Sequence, residues 1–234
     1  MNNAVCDMHK AVTTVYLIRH GEAEGNVLPY FQGTVDTKLT EKGREQVSYL
    51  SGRFRDIPLD AVYYSPWQRA LETAEAVNKY HGLPLIAEYD LHEINGGDWE
   101  GVPVADLCKK FPAEFQVWKE HIWDFQAPNG EEMQHVYQRM ADAMTRIAKA
   151  NPGKTVAVCS HGCAIRNFLC YAEFGDITRL NDVGWAENTA VSQLTYDDVT
   201  GWKLLVKNSA SHLPETLLSA DNPAWAADRG EDTE

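Results

Sequence analysis

Long apolar runs are missing from this sequence of 234 residues, so it offers no candidate for a membrane-spanning helix. The first ten residues carry Asp7, His9 and Lys10 and lack the apolar core of a secretory signal peptide. Basic residues are scarce, with 21 against 34 acidic ones, and a formal net charge of −13 argues against broad binding to nucleic acids or anionic membranes. We therefore expect a cytoplasmic protein with no nucleic-acid and no membrane partner.

The cysteines exclude a further group of proteins. Their number, five, is odd and none belongs to a CxxC motif, which disfavours a disulfide framework and a thiolate zinc site. His, Asp and Glu residues form no cluster with a recognisable metal-ligand spacing either. The sequence therefore predicts a reducing environment, no metal and no other cofactor.

Repeats, low-complexity blocks and Ser/Gly-rich linkers are also absent. The hydrophobic content of 44% is enough to build a core. We expect one domain over residues 1–213, with a small helical cap insertion at about 103–128. From Pro214 the sequence turns to small and acidic residues, which predicts a loosely held tail over 214–234.

Short β-favouring runs alternate with helical patterns along the chain. This alternation predicts an α/β fold with a mostly parallel sheet covered by helices. The predicted strands lie near residues 12–18, 61–64, 84–87, 154–159, 191–196 and 202–206. The last two flank a turn at 197–201 and are expected to form a hairpin.

Helix-capping residues punctuate the sequence between these runs. Thr40 precedes a predicted helix over 41–54, Ser65-Pro66 one over 67–80, and Asn129 with Glu132 one over 131–149. A further helical stretch at 103–126 is rich in aromatic residues, namely Phe111, Phe115, Trp118, Trp123 and Phe125. Core packing is the favoured interpretation of these aromatics, and a substrate-contacting cap over the sheet edge is the alternative.

Four motifs place a charged group or a histidine just after a strand or at the start of a helix. The apolar run 15–18 ends at Arg19-His20-Gly21-Glu22, and Arg69 lies in the first turn after Ser65-Pro66. Glu93 approaches the turn at 95–97, and His161-Gly162 follows a strand. Because open α/β sheets bind ligands at the carboxyl ends of their strands, we expect these groups to meet in one site.

These motifs resemble those of the histidine phosphatase superfamily, which also contains the cofactor-dependent phosphoglycerate mutases. The resemblance covers most of the chain, and five motifs in the same order make it specific. They are Leu17-Ile18-Arg19-His20-Gly21-Glu22, Gln32-Gly33 with Leu39-Thr40-Glu41-Lys42-Gly43, Ser65-Pro66-Trp67-Gln68-Arg69-Ala70-Leu71-Glu72-Thr73-Ala74, Glu93 with Trp99-Glu100-Gly101, and Ser160-His161-Gly162. The resemblance implies a three-layer α/β/α sandwich of the phosphoglycerate mutase type and a metal-independent phosphatase that acts on a small phosphomonoester.

The same resemblance implies a role for each side chain. His20 would be the nucleophile and carry a phosphohistidine intermediate, while Arg19 and Arg69 would clamp the phosphoryl oxygens. His161 would add a donor at the start of a helix, and Glu93 would act first as general acid and then as general base. One imidazole nitrogen can attack only while the other holds the proton, so we predict a backbone carbonyl that accepts from His20.

The resemblance also implies roles for residues outside this catalytic group. Asn26, Gln32, Gly33 and Gly162 are expected to contact the phosphate or the leaving group. Glu22 or Asp98 would be the acid if Glu93 were not. The expected partner is a small phosphorylated substrate, and a homodimer is left open.

Two other functions stay open at this point, a phosphoglycerate mutase and a non-catalytic module that binds a phosphorylated ligand. Mutases of the superfamily carry a tyrosine three residues after the glutamate, a position that is Gly96 here. The segment 103–128 is also short and aromatic, as in small-molecule phosphatases, and both departures favour hydrolysis. A binding module usually lacks the nucleophile or the acid, whereas His20 and Glu93 are both present.

Overall fold

A six-stranded sheet forms the centre of the computed structural model, which describes residues 11–28 and 30–219. Its strands are β1 (Thr13–Arg19), β2 (Ala61–Tyr64), β3 (Leu85–Ala87), β4 (Thr155–Ser160), β5 (Val191–Asp197) and β6 (Gly201–Ser209). They lie in the order β3-β2-β4-β1-β5-β6. All six predicted strands are confirmed, and every strand begins and ends within three residues of the predicted positions.

The first four strands run parallel to one another, and the last two add an antiparallel hairpin. β1 pairs in parallel with β4, β4 with β2, and β2 with β3, whereas β5 is antiparallel to both β1 and β6. The mostly parallel α/β fold and the β5–β6 hairpin predicted from the sequence are therefore confirmed. Since β1 and β4 are parallel neighbours, Arg19 lies directly beside Ser160 where both strands end.

Seven α-helices are present in the described part of the chain. They are α1 (Glu24–Val27), α2 (Glu41–Phe54), α3 (Gln68–Asn78), α4 (Val104–Lys110), α5 (Pro112–Glu120), α6 (Met133–Ala150) and α7 (Gly162–Phe174). Of these, α2, α3, α6 and α7 pack on the sheet. Short 3-10 helices lie at Tyr89–Leu91, Gly97–Trp99, Ile122–Asp124, Ile177–Asp182 and Glu215–Leu217.

Alternate residues of β1 enter two different cores. Val15 and Leu17 pack with α6 and α7 in the larger core, and Ile18 packs with α2 and α3 in the smaller one. Successive side chains of a strand point to opposite faces of the sheet, so one buried strand serves both layers. The result is the predicted three-layer α/β/α sandwich.

Of the predicted helix caps, only that of α2 is present. Thr40 Oγ1 accepts from Gly43 N at 2.9 Å. The cap predicted for α3 is wrong, because Gln68 N donates to Asp36 instead and Ser65 bonds to His161.

The predicted start of α6 is wrong as well. This helix begins at Met133 after Glu132, without a side-chain cap. Asn129 adopts a left-handed conformation with φ 57° and donates to Asp98. A short polar side chain tolerates that conformation, so Asn129 forms the turn before the helix rather than its cap.

Two short helices, α4 and α5, form the aromatic segment after Pro103. Its aromatic side chains gather around Trp99, which is fully buried; Phe125 is 4.7 Å and Trp118 is 5.8 Å from it between ring centroids. Phe125 is itself buried, and the other aromatics of the segment pack against the larger core. Core packing is therefore their main role.

Residues 214–219 are tied to the body of the protein, which corrects the prediction of a loose tail for this part. Leu217 is buried, and its carbonyl accepts from Gln46 Nε2 at 2.8 Å. Ser219 N donates to Glu187, and Ser219 Oγ donates to Asn188 at 3.0 Å. A backbone carbonyl, a backbone N–H group and a hydroxyl make these contacts, so a small and polar composition does not exclude docking. Residues 220–234 of the predicted tail lie outside the described residues.

Within residues 11–28 and 30–219, the helices are all too short or too polar to reach across a lipid bilayer.

Candidate active site

His20 follows β1 at the carboxyl edge of the sheet and is 4% exposed. The carbonyl oxygen of Gly21 lies 2.7 Å from its Nδ1 atom, so a backbone carbonyl of the predicted kind is present. Burial, followed by the charges of Arg69 and Arg19, lowers the pKa of His20 well below its ordinary value. The imidazole is therefore neutral at neutral pH, with its proton on Nδ1 and a lone pair on Nε2.

The Arg19 guanidinium lies close enough to His20 for its charge to act on the imidazole, at the end of the same strand. Its Nη1 atom donates to the carbonyl of Ala186, while its buried Nε atom has no hydrogen-bond partner among the described residues. A Cβ atom at Gly162 would lie 3.4 Å from that Nε atom. A buried donor without an acceptor costs free energy, and an anion bound here would remove that cost.

Arg69 comes from the first turn of α3 and is 1% exposed. Its guanidinium donates to Val35 O at 2.9 Å, to Gly33 O at 3.0 Å and to His161 Nδ1 at 3.2 Å. Burial lowers the pKa of Arg69 to about 10, so the group keeps its charge at neutral pH. Three acceptors leave two N–H bonds of the fork for a ligand.

His161 precedes α7 and is fully buried, with its ring centroid 5.1 Å from that of His20. Because Arg69 Nε can only donate, His161 Nδ1 accepts, and Nε2 then donates to Ser65 Oγ at 2.7 Å. Burial and the charge of Arg69 lower the pKa of His161 well below its ordinary value. In this structure His161 orients Arg69, and direct donation to a phosphate stays a prediction.

Glu93 joins the same cluster and is 8% exposed. Cys163 N donates to Oε2 at 2.9 Å, and Ala164 N and Ile94 N donate to Oε1 at 3.0 and 2.9 Å. Two of these donors belong to the first turn of α7, where the helix dipole favours an anion. The anion held at this helix end is thus the carboxylate of Glu93.

The two alternative acids are engaged elsewhere. Glu22 accepts from Thr40 Oγ1 at 2.8 Å and lies 3.6 Å from Lys42 Nζ. Asp98 accepts from Asn129 Nδ2 at the surface. Both carboxylates therefore fix turns of the backbone.

No group of three or more His, Cys, Asp or Glu side chains in the described part of the chain is arranged to hold a metal ion. Arg19 and Arg69 supply the positive charge of the site. A buried neutral imidazole that two guanidinium groups act on, with a carboxylate near both arginines, is suited to phosphoryl transfer, in which charge spreads over three equatorial oxygens.

The sequence model of the histidine phosphatase superfamily (branch 1) matches residues 15–209. The chain belongs to this superfamily.

Relatives of this histidine phosphatase match it over almost their whole length. Phosphoserine phosphatase 1 of Hydrogenobacter thermophilus is 29% identical over 87% of this chain and 96% of its own. The uncharacterized phosphatase PhoE of Bacillus subtilis is 30% identical over 86% and 97%. The solved structure of Bacillus stearothermophilus YhfR has a TM-score of 0.81 and 32% identity, over 86% and 98%. Proteins named probable phosphoglycerate mutase are among the relatives as well.

The loop residues that were expected to touch the substrate of this histidine phosphatase mainly support the loop itself. Asn26 Oδ1 accepts from Ala23 N at 2.9 Å, and Gln32 Nε2 donates to Val35 O at 3.2 Å. Gly33 O accepts from Arg69. A substrate contact by Asn26, Gln32, Gly33 or Gly162 stays a prediction.

Glu100 is a site residue whose role the sequence did not reveal. Its carboxylate accepts from Gly33 N at 3.0 Å, from Thr34 N at 2.8 Å and from Gly96 N at 2.9 Å. It thereby joins the loop that holds Arg69 to the loop that follows Glu93. The sequence contains the residue within a superfamily motif, but a carboxylate that serves only backbone N–H groups leaves no spacing signal.

Gly96 occupies the position of the mutase tyrosine, and the structure has no room for a side chain there. A Cβ atom at Gly96 would lie 2.3 Å from Phe31 Cε1. Phe31 is 4% exposed and packs edge-on against Trp99, 5.6 Å away between centroids. The phenyl ring therefore occupies the space into which a tyrosine would extend.

Gly96→Ala is expected to lower the free energy of unfolding by about 1–3 kcal/mol, because the methyl group overpacks the contact with Phe31. Urea unfolding monitored by circular dichroism measures the change. Gly52→Ala is the matched control, since a Cβ atom at this α2 position meets no atom within 4 Å. It should raise stability by about 0.5–1 kcal/mol. Equal shifts for both variants would contradict the steric argument.

Proposed function

We propose that this histidine phosphatase hydrolyses a small phosphomonoester, without a metal ion, through a phosphohistidine on His20. The observation that carries the proposal is the neutral His20, whose Nδ1 faces a backbone carbonyl while two arginines surround the ring. The names of the phosphatase relatives support the same reaction class.

In the first step, His20 Nε2 attacks phosphorus and the bond from phosphorus to the ester oxygen breaks. Arg19 and Arg69 stabilise the negative charge on the equatorial oxygens. Glu93 gives a proton to the departing alkoxide. The monoanion of the ester carries one proton, and this proton passes through Glu93 to the departing alkoxide.

In the second step, a water molecule attacks the phosphohistidine, and the bond from phosphorus to Nε2 breaks. Glu93, ionised after the first step, accepts a proton from this water. Phosphate leaves as its monoanion and carries this proton away from Glu93, so the site returns to its starting state. The His20 imidazole returns to the neutral form with its proton still on Nδ1.

A phosphoglycerate mutase is the second candidate, because some relatives carry that name. A mutase must keep the phosphorylated enzyme from water and return the phosphoryl group to a second hydroxyl. Gly96, with Phe31 filling the space beside it, lacks the tyrosine typical of that branch. This observation favours hydrolysis. The cytoplasmic location and the absence of nucleic-acid and membrane partners stay predictions from composition.

The test mixes the parent enzyme with a radiolabelled phosphomonoester and quenches the reaction in alkaline detergent. Label should remain on the protein in alkali and be released by acid, as expected for a phosphorus–nitrogen bond. Phosphate should accumulate at the same rate with and without a chelator. Rapid conversion of 3-phosphoglycerate into 2-phosphoglycerate without phosphate release would overturn hydrolysis in favour of the mutase.

A further inference from the structure

Two peptide groups follow the nucleophile, and both are held at their two ends. In the first, His20 O accepts from Asn188 Nδ2 at 3.1 Å, and Gly21 N donates to Thr73 Oγ1 at 3.1 Å. In the second, Gly21 O faces His20 Nδ1 at 2.7 Å, and Glu22 N donates to Gln46 Oε1 at 2.8 Å. The backbone that defines the nucleophile is therefore fixed by side chains from other elements.

The second peptide decides which nitrogen of His20 carries the proton. Gly21 O and Glu22 N belong to one planar unit, so holding the N–H group also fixes the direction of the carbonyl. Gln46, which is fully buried on α2, holds that N–H group. Rotation of the peptide would remove the acceptor from Nδ1 and allow the proton to move to Nε2, the attacking atom.

The orientation of the Gln46 amide is set in turn by the end of the chain. Its Nε2 atom donates to Leu217 O at 2.8 Å, so its Oε1 atom must face Glu22. A flipped amide would place oxygen against the Leu217 carbonyl and nitrogen against the Glu22 N–H group. Since Gln46 is fully buried, both bonds would be lost without replacement by water.

We propose that Gln46 is a positioning residue for the nucleophile: it fixes the Gly21–Glu22 peptide, and through it the His20 tautomer, under the control of the Leu217 carbonyl. This inference rests on the proposed role of His20. Gln46 touches neither His20 nor the phosphate site directly, so its effect passes through the backbone.

The test is Gln46→Met, which keeps the length of the side chain and removes both hydrogen bonds. Two-bond proton–nitrogen spectra of the resting enzyme distinguish the two imidazole tautomers, and His20→Ala identifies the His20 signals. The parent should show the Nδ1–H form, and Gln46→Met a mixture of both. We expect kcat/KM to fall about tenfold, the effect of losing one peptide hydrogen bond that orients the attacking group.

Gln138→Met is the control, because Gln138 is exposed on α6 and donates to Asp142 in the next turn of the same helix. It should leave the tautomer and the rate unchanged. A folded Gln46→Met with the parent tautomer and a rate within twofold would overturn the proposal. Leu217→Ala covers the case in which Gln46→Met does not fold, since it loosens the docked segment without changing α2. Leu217→Ala should show a smaller fraction of the Nε2–H tautomer than Gln46→Met. A tautomer unchanged from the parent would overturn the role of Leu217.

The spectra are recorded without substrate, so they report on Gln46 even if no phosphohistidine forms. If the parent enzyme formed no phosphorylated intermediate, the proposed function would be refuted. An unchanged tautomer in the variants would refute only the positioning role.

Discussion

His20→Ala is expected to lower kcat by roughly 10⁴-fold or more, because the reaction loses the atom that forms the covalent intermediate. The two arginines and Glu93 remain in place, so the variant should still bind phosphate, and the loss should appear in kcat rather than in KM. Phosphate release measures the rate, and alkaline quench with a labelled ester should trap no phosphorylated protein.

His121→Ala is the control for this substitution, because His121 is exposed at the end of α5 and packs edge-on against Trp123. Its turnover should equal that of the parent. If folded His20→Ala kept more than a few per cent of the parent rate, another nucleophile or direct attack by water would have to replace the mechanism.

Glu93→Gln is expected to lower kcat by roughly 10²–10⁴-fold on an alkyl phosphate, because the amide cannot transfer a proton to the departing alkoxide. An amide oxygen can still accept from Ile94 N and Ala164 N, so the loop should stay in place. An activated aryl phosphate needs little protonation of its leaving group. Its phosphorylation step should therefore be affected much less.

Single-turnover rates on esters of increasing leaving-group acidity measure this difference. Glu22→Gln and Asp98→Asn are the matched controls, since both carboxylates lie in the same region but bond to turns. Each should retain the parent rate within a few fold. A uniform loss across the ester series for Glu93→Gln would assign the acid role to another group.

Local patterns in the sequence were sufficient to predict the sheet. A strand that is buried on both faces, such as β4, is a continuous apolar run. In the antiparallel β5, buried residues alternate with less buried ones, and both patterns can be recognised in a sequence. The Thr40 cap of α2 was also predicted, because its partner is only three residues away. His20, Arg69 and Glu93 were found through superfamily motifs, and the strand order explains why they converge.

Contacts between distant segments explain what the sequence did not reveal. Glu100 and Gln46 act on backbone groups about 67 and 24 residues away, and no periodicity marks such a pair. Serine is a common helix-capping residue, yet the hydroxyl of Ser65 bonds to His161 across the sheet edge. The docking of residues 214–219 depends on partners in α2 and in the loop before β5. A single sequence does not encode these partners locally.

The position of β1 has a consequence for biosynthesis. This strand is synthesised before the other five strands of the sheet but lies between β4 and β5, which are made more than 130 residues later. The carbonyl of His20 can be held only after Asn188 has been synthesised, and Gln46 can be oriented only after Leu217 has been synthesised. Pairings so distant in sequence form late in folding. His20 is thus synthesised 168 residues before Asn188, whose side chain holds its carbonyl group, so chains that end before β5 should be catalytically silent.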